Sequence, residues 1–262
     1  MPYISARISD GLGNRFFQTA AMLGYAEKHG HTPVFVKDWI HINNHVGPHN
    51  IHDYFPSIQT IRLEPGWTLM EEPADGGYTY YQLPAVDKNV HLKGFFQTEK
   101  YFPKCGIQRP GILGGLESRY SGYAFLHVRR GDYLLEVCKH HYVDLRAYYR
   151  YALAFFSGAE TRILVCSDDI TWAKANMSSL YGDLILASHM EFFEGSDYET
   201  LRAMTACSRG GICANSTFSW WGAYWNVGRG GGGMYFMPGR WGHPPLPPAV
   251  DIHPSWATLL PV

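Results

Sequence analysis

Two arginines and an aspartate follow an apolar stretch near the middle of the chain, in the sequence FLHVRRGD at residues 125–132. Alternation along a strand would place His127 and Arg129 on one face and Arg130 on the other. A planar, permanently charged guanidinium can form paired hydrogen bonds with phosphate oxygens, so Arg129 and Arg130 are candidate phosphate ligands. The alternative is an ion pair between an arginine and Asp132 that holds a turn.

A second apolar stretch ends in adjacent carboxylates, Asp168 and Asp169, in VCSDD at 165–169. Carboxylates at the carboxyl end of a parallel strand can accept hydrogen bonds from ribose hydroxyls or from the N–H edge of a purine. Either aspartate could instead cap the helix that the sequence predicts from residue 169. Both interpretations stay open from the sequence alone.

Hydroxyl side chains lie between a predicted strand and a predicted helix in ANSTFSWWG at 214–222. The free backbone N–H groups at a helix N-terminus and the positive end of its dipole together favour an anion. Ser216 and Thr217 are therefore candidate ligands of a phosphate group, and the alternative is that one of them simply caps the helix. Trp220 and Trp221 fall on the helix itself and are predicted to belong to the core rather than to a sugar-binding platform.

A glycine turn near the N-terminus, GLGNRF at 11–16, precedes another predicted helix. It differs from the dinucleotide-binding sequence G-x-G-x-x-G because Phe16 stands in place of the third glycine. Gly11 and Gly13 would still let a ligand approach the backbone closely, and Asn14 is a candidate helix cap. This turn is the fourth candidate ligand-binding segment.

The histidines do not form a metal-binding pattern. The group in the N-terminal part, at 41–52, has near-helical spacing, but Gly47 and Pro48 interrupt any helix there. The group in the middle of the chain, at 138–141, matches no known ligand spacing. No metal and no other cofactor is therefore expected. The groups are His41, His45, His49 and His52, and Cys138, His140 and His141.

The elements that would position these segments alternate between strand and helix. From residue 119 onward, near-continuous apolar strands alternate with helices, which is typical of a parallel sheet covered on both faces. The strands predicted there include Tyr123–Val128, Arg162–Cys166, Asp183–Ala187 and Gly211–Ala214. The N-terminal part begins as a βαβ unit and is poorly periodic over 39–88, and FFQTEKYF at 95–102 predicts the start of another helix.

This pattern predicts an α/β protein with two Rossmann-like units, residues 1–118 and 119–262, that face each other across a cleft. In such sheets ligands bind beyond the carboxyl ends of the strands. The second unit would carry the arginines and the first would carry the glycine turn.

The composition restricts the classes of partner. The chain has 262 residues, with 22 Lys and Arg against 23 Asp and Glu, so its formal net charge is −1. Because there is no basic excess, nucleic acid is not expected as a partner. Five cysteines lack paired spacing, and no apolar run reaches about 18 residues. The sequence therefore predicts a soluble cytoplasmic protein without a signal peptide or membrane span.

Five segments together resemble glycosyltransferase family 11, the α-1,2-fucosyltransferases, and the resemblance extends over almost the whole chain. The segments are GLGNRFFQTAAMLGYAEKHG at 11–30, GFFQTEKYF at 94–102, HVRRGDY at 127–133, SDD at 167–169 and NSTFSWWGAYW at 215–225. Each segment is weak evidence alone, whereas their combination in this order is specific.

The resemblance implies a GT-B-like fold, GDP-β-L-fucose as the donor, a galactoside in a glycan as the acceptor, inversion at the fucose anomeric carbon, and no metal. Arg129 would contact the β-phosphate, and Arg129 and Asn14 are the implied catalytic residues. The other implied donor contacts are His127, Arg130 and Asp132 around the β-phosphate, Ser216, Thr217 and Phe218 at the diphosphate, Asp168 or Asp169 at the guanine, and Gly11 and Gly13 at the sugar phosphate.

The sequence leaves open alternative functions, the general base and the residues that contact the acceptor. Another GDP-fucose-dependent linkage, such as protein O-fucosylation, and an inactive module that binds a GDP-sugar or a glycan are the alternative functions. Asp10 and Glu136 are candidate general bases by position, but each is more readily structural. Trp39, Tyr54 and Trp67 are candidate acceptor contacts within the poorly periodic stretch.

Overall fold

The computed structural model describes residues 1–40, 51–73, 78–109, 114–158, 160–230, 232–246 and 248–262. The chain divides into two compact units. The first comprises Met1–Gly111 and Pro247–Pro254, and the second comprises Ile112–Leu246 and Ser255–Val262. The boundary predicted between residues 118 and 119 therefore falls a few residues inside the second unit.

The first unit is built on a parallel sheet. Its strands are β1 (Tyr3–Ala6), β2 (Thr32–Val36), β3 (Gln59–Ile61), β4 (Thr68–Glu71) and β5 (Val90–Lys93), and its helices are α1 (Leu12–His29) and α2 (Ile51–Tyr54). The strand order is β3–β2–β1–β5–β4, and all of these neighbours are parallel. The carboxyl ends of β1 and β5 therefore lie side by side.

Helix α1 connects the glycine turn to the core of the first unit. Gly11 is its N-cap, and Gly30 ends it in the left-handed conformation at φ +70°. The prediction that Asn14 caps this helix is wrong. Asn14 lies in the first turn, where its backbone N–H already donates to the carbonyl of Gly11 at 3.0 Å.

The second unit is built on a larger parallel sheet. Its strands are β6 (Tyr123–Val128), β7 (Arg162–Ser167), β8 (Met190–Phe192), β9 (Gly210–Ile212), β10 (Met234–Pro238) and β11 (Thr258–Leu260). Its helices are α3 (Leu116–Arg119), α4 (Arg146–Ala154), α5 (Ile170–Tyr181), α6 (Asp197–Ala206) and α7 (Thr217–Val227). The strand order is β11–β10–β9–β6–β7–β8. The parallel sheets in both units confirm the predicted fold class.

The neighbouring strands β6 and β9 form the switch point of the second sheet. The chain leaves β6 toward β7 on one side, and it leaves β9 toward β10 on the other. The two connections diverge and open a crevice at the carboxyl ends, which is where open α/β sheets bind ligands. Every residue of β6 is buried, as expected for a central strand covered on both faces.

The strand predicted at Asp183–Ala187 is wrong. These residues form a turn after α5, and the edge strand next to β7 is β8, where Met190 pairs with Ile163. Ile185 is buried in the apolar core, and Leu184 packs against the same core. The apolar residues of this segment therefore fill the core from a turn, which gives the same sequence signal as a short strand.

The helix predicted in FFQTEKYF is also wrong. Only a single 3₁₀ turn forms there, at Glu99–Tyr101. Phe96 has a left-handed backbone at φ 52°, and this conformation is incompatible with continuing a right-handed helix. No helix in the described parts of the chain combines the length and apolar character needed to cross a membrane.

Candidate active site

His127 lies near the carboxyl end of β6, with only 3% of its surface exposed. Burial, together with the positive charge of Arg129, lowers the pKa of His127 to about 3, so the imidazole is neutral near pH 7. Its Nδ1 has no hydrogen-bond partner among the described residues. Because buried polar atoms are normally paired, this nitrogen is a candidate ligand contact.

Arg129 follows β6 directly, and its guanidinium lies between two carboxylates. Its Nη1 is 2.9 Å from Oδ2 of Asp168, and its Nη2 is 2.5 Å from Oδ1 of Asp132. Burial opposes the charge of Arg129, but the nearby Asp168, Tyr133 and Asp132 outweigh burial and raise its pKa. The Nε–H is buried and has no partner in the described structure. The ion pair with Asp132 therefore coexists with an unused donor.

Asp168 joins the two consecutive arginines. Its Oδ2 pairs with the Arg129 side chain, and its Oδ1 accepts the backbone N–H of Arg130 at 2.9 Å. Burial raises the pKa of Asp168, and the charge of Arg129 works in the opposite direction. Gly131 makes this approach possible, because a Cβ at that position would lie 2.3 Å from Oδ2. Asp168, at the end of β7, thus orients Arg129, at the end of β6.

Arg130 is held against a tryptophan. Its guanidinium carbon lies 3.8 Å from the ring centroid of Trp172, and its Nε is 3.1 Å from Oδ2 of Asp169. Asp169 is also the N-cap of α5, where its Oδ1 accepts the backbone N–H of Trp172 at 3.1 Å. The interpretation of Asp169 as a helix cap is therefore confirmed. A cavity of about 240 Å³ borders both arginines and reaches the starts of α4 and α5.

Helix α7 begins at the predicted anion-binding segment. Ser216 is its N-cap, with Oγ accepting the backbone N–H of Phe218 at 3.4 Å. Thr217 is the first helical residue, so the positive end of the helix dipole lies at this segment. Trp220 and Trp221 are fully buried, which confirms their predicted place in the core.

The segments after β6 and β9 meet at the switch point. The Phe218 ring lies 5.6 Å from the His127 ring, and the Tyr133 hydroxyl donates to the carbonyl of Asn215 at 3.2 Å. The Asn215 side chain is buried and donates to two backbone carbonyls at 2.7 and 2.8 Å. The second unit therefore brings together the candidate residues from three strand ends.

The glycine turn lies in the first unit, at the carboxyl end of β1. Asp10 has a left-handed backbone at φ 67°, and its carbonyl accepts from Nε of Arg15 at 2.9 Å. A Cβ on Gly11 would meet no atom of the described residues within 4 Å, so with respect to them this backbone is open to close approach. Gly13, in contrast, is buried. Oδ1 of Asn14 accepts from Gln97 at 2.7 Å. The candidate residues thus form one group in each unit.

Among the described residues, the structure assigns no general base. Asp10 accepts a hydrogen bond from the Ser9 hydroxyl at 2.7 Å, and the exposed Glu136 pairs with Lys139. Both contacts fit the structural role that the sequence favoured. Among the candidate acceptor contacts, Tyr54 is a core residue packed on Phe16, with ring centroids 4.9 Å apart.

Trp39 and Trp67 are only partly buried and remain candidate acceptor contacts. Trp39 stacks on His91 with ring centroids 3.5 Å apart, and Trp67 meets Trp39 edge-on at 4.9 Å. The Nε1 of Trp67 and the Nε2 of His91 have no hydrogen-bond partner in the part of the chain that the structure describes.

Three residues near the candidate site residues were not predicted from the sequence: Trp172, Glu72 and Gln97. Trp172 supports Arg130 from three residues beyond Asp169, a helical spacing that could have suggested contact with the strand end. Gln97 lies within one of the family-like segments, but its partner Asn14 is distant in sequence. Glu72, whose buried carboxylate accepts the backbone N–H of Phe95 at 2.7 Å, lies in the poorly periodic stretch, where no pattern distinguishes it.

No group of three or more His, Cys, Asp or Glu suited to a metal ion occurs within the described residues. His41, His45 and His49 of the histidine group lie outside those residues. His52 packs edge-on against Phe35, with ring centroids 4.9 Å apart.

Residues 83–243 match the sequence model of the family described as Glycosyl transferase family 11. This match covers more than half of the chain. The chain belongs to glycosyl transferase family 11. The matched range contains the segments at 94–102, 127–133, 167–169 and 215–225, and it leaves out the glycine turn. The family assignment confirms the resemblance and makes the chain a glycosyltransferase.

Curated family relatives cover the chain to different extents. An α-1,2-colitosyltransferase of Escherichia coli is 26% identical in an alignment that covers 86% of this chain and 88% of that protein. Galactoside α-(1,2)-fucosyltransferase 1 of Bos taurus is 27% identical over 179 residues, 66% of this chain and 48% of the bovine protein. The chain thus spans most of the bacterial relative and about half of the bovine one.

Among solved structures, the fold is similar to that of the α-1,6-fucosyltransferase NodZ from Bradyrhizobium, which was co-crystallized with GDP. The TM-score is 0.51 at 12% identity, covering 85% of this chain and 92% of NodZ. At this identity the shared property is the fold. The family 11 chain therefore has the GT-B-like architecture of two Rossmann-like units.

Proposed function

We propose that this family 11 chain transfers L-fucose from GDP-β-L-fucose to the 2-hydroxyl of a galactose residue in a glycan, with inversion and without a metal. The observation that carries the proposal is a pair of buried nitrogens at the switch point that have no hydrogen-bond partner among the described residues. They are Nε of Arg129 and Nδ1 of His127, and both lie where such sheets bind a nucleotide. The α-(1,2)-fucosyltransferase relatives support the linkage.

The proposed chemistry places a developing negative charge next to Arg129. When the fucosyl group departs, GDP gains charge on its β-phosphate, and a preoriented cation lowers the energy of that transition state. Arg129 is preoriented because Asp168 and Asp132 hold both of its terminal nitrogens. The start of α7, capped by Ser216, adds backbone N–H groups for the diphosphate. These groups supply the electrostatic role that a metal ion would otherwise take.

Transfer of colitose is the second candidate, because the E. coli colitosyltransferase matches this chain over most of both proteins. Colitose is fucose without its 3-hydroxyl group, so one pocket can admit both sugars. A site that hydrogen-bonds the 3-hydroxyl would strongly disfavour the analogue that lacks it. The ratio of kcat/KM for the two donors therefore decides between the candidates.

The deciding experiment incubates the protein with GDP-fucose or GDP-colitose and a panel of galactosides, in EDTA, and identifies products by mass spectrometry. We expect an α-1,2-fucosylated galactoside, with turnover unchanged by the chelator. Turnover that requires added Mg²⁺ would contradict the metal-free mechanism. A product formed only on a folded protein acceptor would favour protein O-fucosylation. GDP binding without transfer or hydrolysis would indicate an inactive binding module.

A further inference from the structure

An aromatic ring lies over the guanidinium of Arg129. It belongs to Tyr133, in the 3₁₀ turn Gly131–Leu134 that follows β6, and its centroid is 5.0 Å from Cζ of Arg129. This distance is within the range of cation–π contacts. The carboxylates of Asp132 and Asp168 hold the two terminal nitrogens through N–H groups that lie in the plane of the guanidinium. Because the ring acts on the face of the group, the three contacts together resist tilting.

The side chain of Tyr133 is itself held in a closed set of contacts. Its hydroxyl donates to the backbone carbonyl of Asn215 at 3.2 Å, and Nδ2 of Asn215 donates to the carbonyl of His141 at 2.7 Å. The His141 ring stacks on the Tyr133 ring, with centroids 5.2 Å apart and an angle of 20° between the planes. Asn215 immediately precedes Ser216, the N-cap of α7. Tyr133 therefore links Arg129, at the end of β6, to the start of α7.

The stacked imidazole of His141 is predominantly neutral near pH 7. Burial, with repulsion from His140 and Arg129, lowers the pKa of His141, and the attraction of Asp132 works in the opposite direction. A neutral imidazole does not compete with the guanidinium for the negative face of the Tyr133 ring, which attracts cations. The stack therefore supports the ring and leaves its cation–π contact to Arg129.

We propose that Tyr133 is a positioning residue: its ring sets the orientation of the Arg129 guanidinium, and its hydroxyl keeps that ring in register with the start of α7. Both the guanidinium and the start of α7 belong to the proposed diphosphate site, so their relative position determines how well they stabilise the charge of the transition state. This role requires an aromatic ring and a hydroxyl on one side chain. The inference rests on the proposed function for the identity of the bound phosphate.

The test compares Tyr133→Leu with Tyr133→Phe. Leucine has no π face, so we expect kcat to fall by about 10- to 100-fold, as for small displacements of a catalytic group. Phenylalanine keeps the ring and loses only the hydroxyl, so Tyr133→Phe should retain more of the parent kcat. KM for the acceptor should stay close to that of the parent, because Arg129 acts on the leaving diphosphate. Equal losses in the two variants, or parent kcat in Tyr133→Leu, overturn the proposal.

Tyr198→Leu is the matched control for the loss of a ring. Tyr198 lies in α6 of the same unit, is partly buried like Tyr133, and has its ring centroid 5.3 Å from Cζ of Arg202. Arg202 belongs to none of the candidate site segments, so this variant should keep the parent kcat. Thermal unfolding shows whether each variant is folded. If Tyr198→Leu lowers kcat as much as Tyr133→Leu does, the loss reflects general packing and the proposal is overturned.

NMR of the arginine side chains in the full-length protein separates this inference from the proposed function. The Nε–H signal of Arg129, assigned by its loss in Arg129→Lys, should show a nuclear Overhauser contact with the Tyr133 ring. This contact is measured in the parent, so it can be tested even where Tyr133→Leu does not fold. If the parent transfers no sugar but shows the contact, the proposed function is wrong and the positioning by Tyr133 stands. If the parent lacks the contact, the positioning by Tyr133 is wrong.

Discussion

The guanidinium of Arg129 has more N–H donors than the described residues accept. Asp168 and Asp132 hold its terminal nitrogens. Its Nε–H is buried, and none of the described residues accepts a hydrogen bond from it. The carboxylates fix the plane of the guanidinium and keep it charged, and the remaining donor is directed by that plane. A lysine has one flexible point charge, and it cannot hold both carboxylates and also present a fixed donor.

Arg129→Lys is therefore expected to fail almost as completely as Arg129→Ala. We expect transfer to fall by about 100-fold or more in both variants, as for the loss of an oriented transition-state donor. Donor kinetics and calorimetric GDP binding measure the effect, and thermal unfolding checks that the fold persists. Arg119→Lys is the matched control, because Arg119 also pairs with a carboxylate, Glu191, but lies at the surface. Parent-level turnover in Arg129→Lys would contradict the proposed role.

At the level of elements, the ends of buried strands are where the sequence is most informative. HVRRGD, SDD and NSTF were predicted at strand ends because an apolar run stops there and polar residues begin, and the structure has β6, β7 and β9 ending at these segments. Side-chain pairing across the fold could not be predicted in this way. Asp169 could be recognised as a helix cap, whereas the contact between Asp168 and Arg129 depends on strand order.

Gly131 shows why such a contact is invisible in the sequence. Gly131 belongs to the turn after β6, and its lack of a side chain lets the carboxylate of Asp168 reach Arg129. Similarly, the apolar residues of the turn at 183–187 fill the core without joining the sheet. In both cases the local pattern is compatible with several packings, and the tertiary structure selects one.

Gly131→Ala tests the turn as a positioning element. The added Cβ would lie 2.3 Å from Oδ2 of Asp168, so the carboxylate must move and Arg129 loses its orientation. We expect transfer to fall by about 10- to 100-fold, as for small misplacements of a catalytic group, with a smaller change in thermal stability. Gly158→Ala in the same unit is the control, since its Cβ would meet no atom within 4 Å in the part of the chain that the structure describes. Unchanged kinetics in Gly131→Ala would show that Asp168 does not position Arg129.

Across the whole molecule, charges are few and several titratable groups are buried in uncharged form. The first unit contains His91, which stacks on Trp39 at 3.5 Å, and the second contains His127 at the switch point. Burial, with added repulsion from Arg7 and Lys93, lowers the pKa of His91 to about 4. Each unit thus holds a histidine that stays neutral when folded and takes up a proton when unfolded.

This linkage makes the stability of both units depend on pH. For His127 the folded pKa of about 3 lies below the ordinary value near 6.5. Between these values the unfolded chain binds a proton that the folded chain does not, so the free energy of unfolding decreases as the pH falls. One histidine can change the free energy of unfolding by at most about 1.4 kcal/mol per pH unit. Burial raises the pKa values of Asp168 and Glu72. These two carboxylates therefore have the opposite effect and increase the free energy of unfolding as the pH falls.

Comparing each histidine variant with its parent isolates the contribution of that histidine. We expect the parent to lose stability toward urea as the pH is lowered from about 7 to 5. His127→Gln and His91→Gln should each show a shallower slope over the same range, because neither glutamine titrates. Their absolute stability near pH 7 is expected to be lower, since each substitution disturbs a packed ring. A variant whose pH slope equals that of the parent would show that the histidine is already protonated, or exposed, in the folded protein.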